Sequence, residues 1–265
     1  MSRLVSDELW AIVEPLLPPP KPRRFRYPGR KPVDNRVALG VIIYVLKTGV
    51  PWEEVPQELG CCGMSGWNKL DEWQRLGVWE KIHQAVLDEL EARGRLDWEH
   101  GIVDSSSVRA TQGGEDTGPS PVDRRKRGTK HHALTEGGGL PLSGQVTSAN
   151  RNDITQLQPL VEDIPPIKNP KTGRRRKRKP KKLLGDRGYD SEPHRQWLRK
   201  KHITPLLAKR GTPHGSGLGK KRWPGERLFA WLHDDRKLRI RDERRADIHF
   251  ALVQLAFALI CFAHL

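Results

Sequence analysis

Three carboxylates stand in this chain where chemistry is possible. In "GIVDSSSVRA" Asp104 follows an apolar run and precedes three serines. In "KKLLGDRGYDS" Asp186 follows a second such run, and in "RWPGERLFAWL" Glu226 stands two residues after Pro224, among arginines and tryptophans. Each has an ordinary explanation. Asp104 can make an Asx turn with its serines, and Asp186 can pair with Arg187. If Pro224 opens a helix, Glu226 takes the third position, where a capping-box glutamate is favoured. Together the three allow something else, because two aspartates at strand ends and one helical glutamate can converge on the same side of a sheet. An all-oxygen donor set suits hard divalent cations such as Mg2+, which keep waters and accept phosphate oxygens. Two such ions about 4 Å apart activate a water or a 3′-hydroxyl and stabilise the leaving oxygen in phosphoryl transfer.

Phosphoryl transfer on a polyanion fits the composition. Lys and Arg number 48 against 32 Asp and Glu, a formal net charge of +16, which points to nucleic acid as partner. Bound cations reconcile acids with a basic surface, since they make the site locally positive while nearby Arg and Lys hold the phosphates. The three cysteines, with Cys61 and Cys62 adjacent, give neither a disulfide framework nor a zinc pattern. A reducing, cytosolic or nucleoid setting is expected. "MSRLVSDELW" lacks the apolar centre of a signal peptide. The most apolar run, 248–263, falls short of the ~20 residues of a membrane span and is expected as a buried helix.

The elements that must position these acids follow from periodicity and caps. Ser6 caps a helix over 6–17, and the proline-rich, basic "PPPKPRRFRYPGRKP" then reads as a linker. Asp34 caps a strongly apolar helix that stops at Gly49, short segments follow, and a helix from Val78 to Arg93 ends before Gly94. Several short helices with a basic flank suggest a helix-turn-helix module with 65–76 as its third helix. A bundle that serves packing or dimerisation is an equal alternative. After Trp98 the pattern changes to a strand, a hairpin turning at Gly137–Gly139, a helix capped by Asp153, and a strand ending at Asp186. A helix from Ser191 with Asp190 as cap, the strand "ITPLLAK" and a helical remainder from 222 complete it. This order describes an α/β fold with a mixed sheet flanked by helices, preceded by an all-α N-terminal part. The expected division is a helical DNA-binding domain at 1–95 and a catalytic domain at 96–265. The basic stretch at about 165–182, with ten Lys or Arg between 168 and 182, is expected to be a loop kept solvated by self-repulsion.

"DELWAIVEPLLPPP", "GRKPVDNRVALGVIIYVLKTGVPWEEVP", "VDSSSVRA", "GPSPVDRRKRGTKHHALTEGGGLPL", "NRNDITQLQPLV", "GDRGYDS" and "RWPGERLFAWLHDDRKLRIRDERR" occur in an order that resembles the DDE transposases of the fifth insertion-sequence family, a bacterial group. The resemblance runs nearly end to end. It implies an RNase H-like catalytic domain that cuts and rejoins double-stranded DNA at the inverted repeats of its own element and at a target. It further implies two Mg2+ ions, replaceable by Mn2+, on Asp104, Asp186 and Glu226, and a homodimer that pairs the element ends. The wider superfamily carries a Tyr, Arg, Glu, Lys signature around the glutamate. Arg222 fits it, while Gly219 and His233 occupy the tyrosine and lysine positions, so roles in gripping a flipped base do not carry over. The resemblance makes Arg222, Lys130 and His131 candidate DNA contacts, and His233, on one helical stripe with Glu226, and Arg187 are two more. Glu243 is an alternative third acid, better explained as an ion-pair residue beside two arginines. Two other readings stay open: a DNA-binding regulator or degenerate copy without catalysis, and a nuclease without end specificity.

Overall fold

The computed structural model describes residues 4–19, 25–26, 29–211 and 218–265, with side chains from 222 onward in the last stretch. Much of the basic linker, at 20–24 and 27–28, lies outside what is described, and Gly219 is described only as part of a helix. Helix α1 (Asp7–Val13) starts where Ser6 accepts from the Leu9 amide at 3.1 Å. Helix α2 (Asn35–Thr48) starts at Asp34, which accepts from the Arg36 and Val37 amides, and stops at Gly49 in the left-handed region. Helix α3 (Gly63–Arg75) follows. Its inner face is glycine because it has no room for more: a Cβ on Gly63 would lie 1.8 Å from the Trp52 carbonyl oxygen, and one on Gly66 2.6 Å from Val41. Helix α4 (Val78–Ala92) then leads into the sheet.

The strands are β1 (His100–Ala110), β2 (Gly118–Pro119), β3 (Arg127–Glu136) and β4 (Pro141–Ser148). After helix α5 (Leu157–Glu162) come β5 (Ile167–Lys168), β6 (Arg175–Arg176) and β7 (Lys182–Gly185). Helix α6 (Glu192–Lys200), β8 (Thr204–Leu207), helix α7 (Leu218–Asp234), β9 (Ile240–Arg241) and helix α8 (Ala246–Phe262) finish the chain. The main sheet runs β4-β3-β1-β7-β8. β3 is antiparallel to both its neighbours, and β7 and β8 continue parallel to β1. An antiparallel hairpin beside parallel crossover strands, with helices on both faces, is the RNase H-like arrangement expected from the sequence.

One face of the sheet carries α7 and α8: a Cβ on Gly144 of β4 would stand 2.5 Å from Phe257 of α8. The other face carries α5, where Ser143 Oγ donates to the Leu160 carbonyl. The apolar core of the first face continues without a break into the N-terminal helices, joining Leu39, Leu46, Trp73 and Trp79 to Leu228, Leu232 and Leu252. Residues on either side of position 95 therefore share one core. Lys47 of α2 adds an ion pair to Asp235, just past α7, at 2.9 Å.

Several sequence expectations change locally. β1 does not end at Asp104 but continues through the serines to Ala110, so Asp104 is mid-strand. Pro224 lies inside α7 instead of starting it, which removes the capping explanation for Glu226. Asp153 caps no helix. Asp190 accepts from Arg195 and from the Arg210 amide instead of capping α6. The basic stretch is a β5–β6 hairpin held on α4 by Arg175 paired with Asp88 and Arg178 paired with Glu91.

Candidate active site

The site is organised by a gap in the sheet. β7 pairs with β1 as far as Leu184 opposite Ile102, and β9 pairs only with Arg109 and Ala110. Residues 103–108 thus lack a strand on that side among the described residues. Continuing the β7 register by two residues sets Asp186 beside Asp104, on neighbouring strands that lie about 4.8 Å apart. The chain turns sharply there because Asp186 Oδ1 accepts from the Gly188 amide at 2.8 Å.

Helix α7 supplies the third acid. It approaches β1 closely through Gly225, where a Cβ would lie 2.9 Å from Ile102 Cγ2 and 3.8 Å from Asp104 Oδ2. Leu228 and Leu232 bury the same side of the helix, and Arg227 donates to the Gly138 carbonyl in the β3–β4 turn. Glu226 is exposed on the helix flank next to this contact. Burial pushes the Asp104 carboxyl up to about 6, and the charges of Asp186 and Glu226 push the same way. The Ser105 amide and the Arg222 charge oppose them. The three acids and Arg222 are therefore electrostatic neighbours. Among the described residues no group of three or more His, Cys, Asp or Glu is placed to hold a metal ion by itself. The open set is all oxygen and crowded with like charge, which suits a hard divalent cation completed by water and phosphate.

The other sequence candidates divide. Arg222 is half-buried, with its Nε buried and unbonded. Arg187 lies in the turn after Asp186. Lys130 and His131 are corrections, because β3 is an interior strand covered on both faces. Lys130 is only 8% exposed, and its ammonium bonds the Arg151 carbonyl and Asp153 Oδ1, each at 2.8 Å. His131 is buried against His249, with the ring nitrogens 2.8 Å apart. His233 is half-buried, its ring 6.4 Å from that of His131. Neither Lys130 nor His131 presents a group to a DNA phosphate. Glu243 accepts from Trp52 Nε1 and pairs with Lys237, as an ion-pair residue would.

Sequence reasoning gave Asp153 only a capping role and passed over Tyr189. Asp153 Oδ1 accepts from Ser105 Oγ at 2.9 Å as well as from Lys130. Tyr189 is buried, with its hydroxyl beside Ser105 and in the field of Asp104, Asp153 and Asp186. The polar run "NRND" and the tyrosine of "DRGYDS" were the signals that could have pointed to them. On the outer side of α7, Arg227 is stacked between Trp223 and Trp231, at 4.5 and 4.6 Å from the ring centroids.

Comparison with known proteins gives concordant matches. The family described as "Transposase DDE domain" matches residues 97–261, and "Putative transposase of IS4/5 family" matches residues 5–83. The putative transposase for insertion sequence element IS402 of Burkholderia cepacia is 55% identical over 146 residues, covering 55% of this chain and 68% of that protein. An uncharacterized 16.2 kDa protein of the same element is 49% identical over 119 residues, 44% of this chain and 81% of its own length. Among solved structures, the Mos1 strand transfer complex aligns over 92% of this chain and 81% of its own, at 12% identity and a TM-score of 0.35. That likeness is faint, and the fold class rests on the strand order of this chain.

Proposed function

The chain belongs to the transposases with a DDE domain, and from that premise we propose that it binds the inverted repeats of an insertion sequence and cuts and rejoins DNA there. What supports this reading is that α7 comes close to β1 beside Asp104 and that Asp104 feels the charges of Asp186 and Glu226, which come from two other elements. Asp104 shares its field with both other acids, and Asp104, Asp186 and Glu226 would together hold Mg2+ or Mn2+, two ions per site. Bound there, the cations would activate a water or 3′-hydroxyl and stabilise the leaving oxygen. Arg222 and Arg187 offer positive charge for the phosphates flanking the scissile bond. Each element end is nicked, and the freed 3′-hydroxyl attacks target DNA in the same site. Two ends must be joined to one target, which calls for a homodimer in the DNA complex.

Asp104→Asn is expected to abolish nicking and joining of element-end duplexes in Mg2+ while duplex binding in EDTA is kept. Joining by that variant would sink the mechanism. If the wild-type chain binds ends equally in Mg2+ and EDTA and never nicks them, it is a regulator. If it degrades DNA lacking the repeats equally well, it is a nuclease.

A further inference from the structure

Asp153 reaches the acid site from the far face of the sheet. Its Oδ1 is fixed by Ser105 Oγ, on the residue after Asp104, and by the buried Lys130 ammonium. Its Oδ2 is directed elsewhere: it lies 3.3 Å from where a Cβ on Gly188 would stand, and Asp186 Oδ1 lies 2.9 Å from the same point. Two carboxylates from opposite sides thus meet at the turn that follows β7, where β1 has no strand neighbour. A second observation points into the same place. Tyr189 is 1% exposed, and its hydroxyl, beside Ser105 and in the field of Asp153, Asp104 and Asp186, makes no hydrogen bond of good geometry. A buried hydroxyl is costly to leave unbonded, and a water bound to a cation would supply the missing partner.

Lys130 accounts for half of Asp153. Its ammonium is spent on Oδ1 and the Arg151 carbonyl, so the salt bridge orients the carboxylate and leaves Oδ2 facing the other acids. A residue needed only to hold β3 to the loop after β4 would require one oxygen. The second adds negative charge to a place already crowded with it, which lowers the stability of the chain unless a cation is bound there.

Resting on the reading of Asp104, Asp186 and Glu226 as metal-binding acids, we infer that Asp153 is a fourth acid of the centre: Lys130 and Ser105 tether it by Oδ1, and Oδ2 holds a water of the cation beside Asp186, with the Tyr189 hydroxyl bonded to the same hydration shell. Mg2+ and Mn2+ retain waters in protein sites, and groups that orient such waters change metal affinity about 10–100-fold.

The test is Mn2+ binding to the full chain, followed by calorimetry without DNA, with melting temperature in EDTA as the second readout. Asp153→Asn is expected to weaken Mn2+ binding about tenfold or more, with a lower melting temperature in EDTA because the buried Lys130 ammonium loses its counterion. Asp104→Asn is the control for the site itself. Weakened binding by Asp104→Asn with Asp153→Asn within twofold of wild type overturns the inference and leaves the three-acid reading standing. Unchanged binding by both variants overturns the three-acid reading as well. A purely structural Asp153 predicts a lower melting temperature with Mn2+ affinity kept. Should Asp153→Asn fail to fold, Fe2+ substituted for Mn2+ in the wild-type chain, with ascorbate and peroxide, cleaves the backbone where the metal sits. Cuts near residues 104, 153 and 186 are expected, and a pattern without the cut near 153 overturns the inference.

Discussion

At the scale of the residue, a side chain in this site is distinguished by what it is not occupied with. Lys130 was a reasonable choice for a phosphate contact on charge alone, yet its ammonium is saturated by Asp153 and Arg151 inside the sheet. Glu226 is the reverse case: it looked like a capping acid, but a helix that passes through Pro224 places it far from any N-terminus. It is exposed and packs against little, so Glu226→Gln is expected to reduce strand cleavage to background while changing stability by no more than about 0.5 kcal/mol. End cleavage in Mg2+ and urea denaturation, measured on one preparation, check this. Loss of stability together with activity would mean that the residue is structural.

At the scale of the element, α7 delivers its acid because it lies close to β1. Gly225 sets that distance, with Ile102 immediately beneath it. Gly225→Ala is expected to lift the helix, destabilise the chain by about 1–3 kcal/mol as overpacking does, and lower cleavage by more than the reduced stability explains. Cleavage at wild-type rate by the folded variant would show that the close approach is not needed. The β5–β6 hairpin is a second element whose role depends on its docking. Arg175 and Arg178 are paired with α4, while Arg174 and Arg176 are exposed. If those two hold phosphates, Arg174→Ala with Arg176→Ala is expected to lower the slope of log affinity against log salt by about 0.9 for each phosphate that is no longer neutralised. A duplex-binding titration across salt concentrations measures this. An unchanged slope removes the hairpin from the DNA surface.

At the scale of the molecule, one core joins the N-terminal helices to α7 and α8, and the packed molecule buries several histidines. Burial holds His83 at about 4, His131 at about 3, His132 at about 4, and His249 well below the ordinary value. These groups are neutral when folded and take up protons on unfolding, so they stabilise the fold above pH 6.5, and that contribution is lost as pH falls toward 4. Asp104, raised to about 6, works in the opposite direction, because the folded state gains its proton first. His194 and His233 are lowered too and Asp235 is raised like Asp104, so the histidines outnumber the aspartates and leave a net loss, each group counting for about 1.4 kcal/mol per pH unit when fully titrating. Unfolding by urea in EDTA is expected to become markedly easier between pH 6.5 and 5, and equal stability at the two values contradicts it. Among the described residues no helix is long and apolar enough to cross a membrane; the run at 248–263 is the core helix α8 that its length implied. The sequence by itself determined what depends on local chemistry and short periods: the caps at Ser6 and Asp34, the stop at Gly49, the Gly137–Gly139 turn, the order of the longer strands and helices though not β2, β5, β6 and β9, and the family likeness. Only the tertiary structure decided that β1 runs on past Asp104, that Pro224 is inside its helix, that Lys130 and His131 point inward, and that Asp153 meets Asp186 at the gap in the sheet. These depend on which faces of β1 and β3 are covered and where β7 stops, and such long-range packing leaves no period in the sequence.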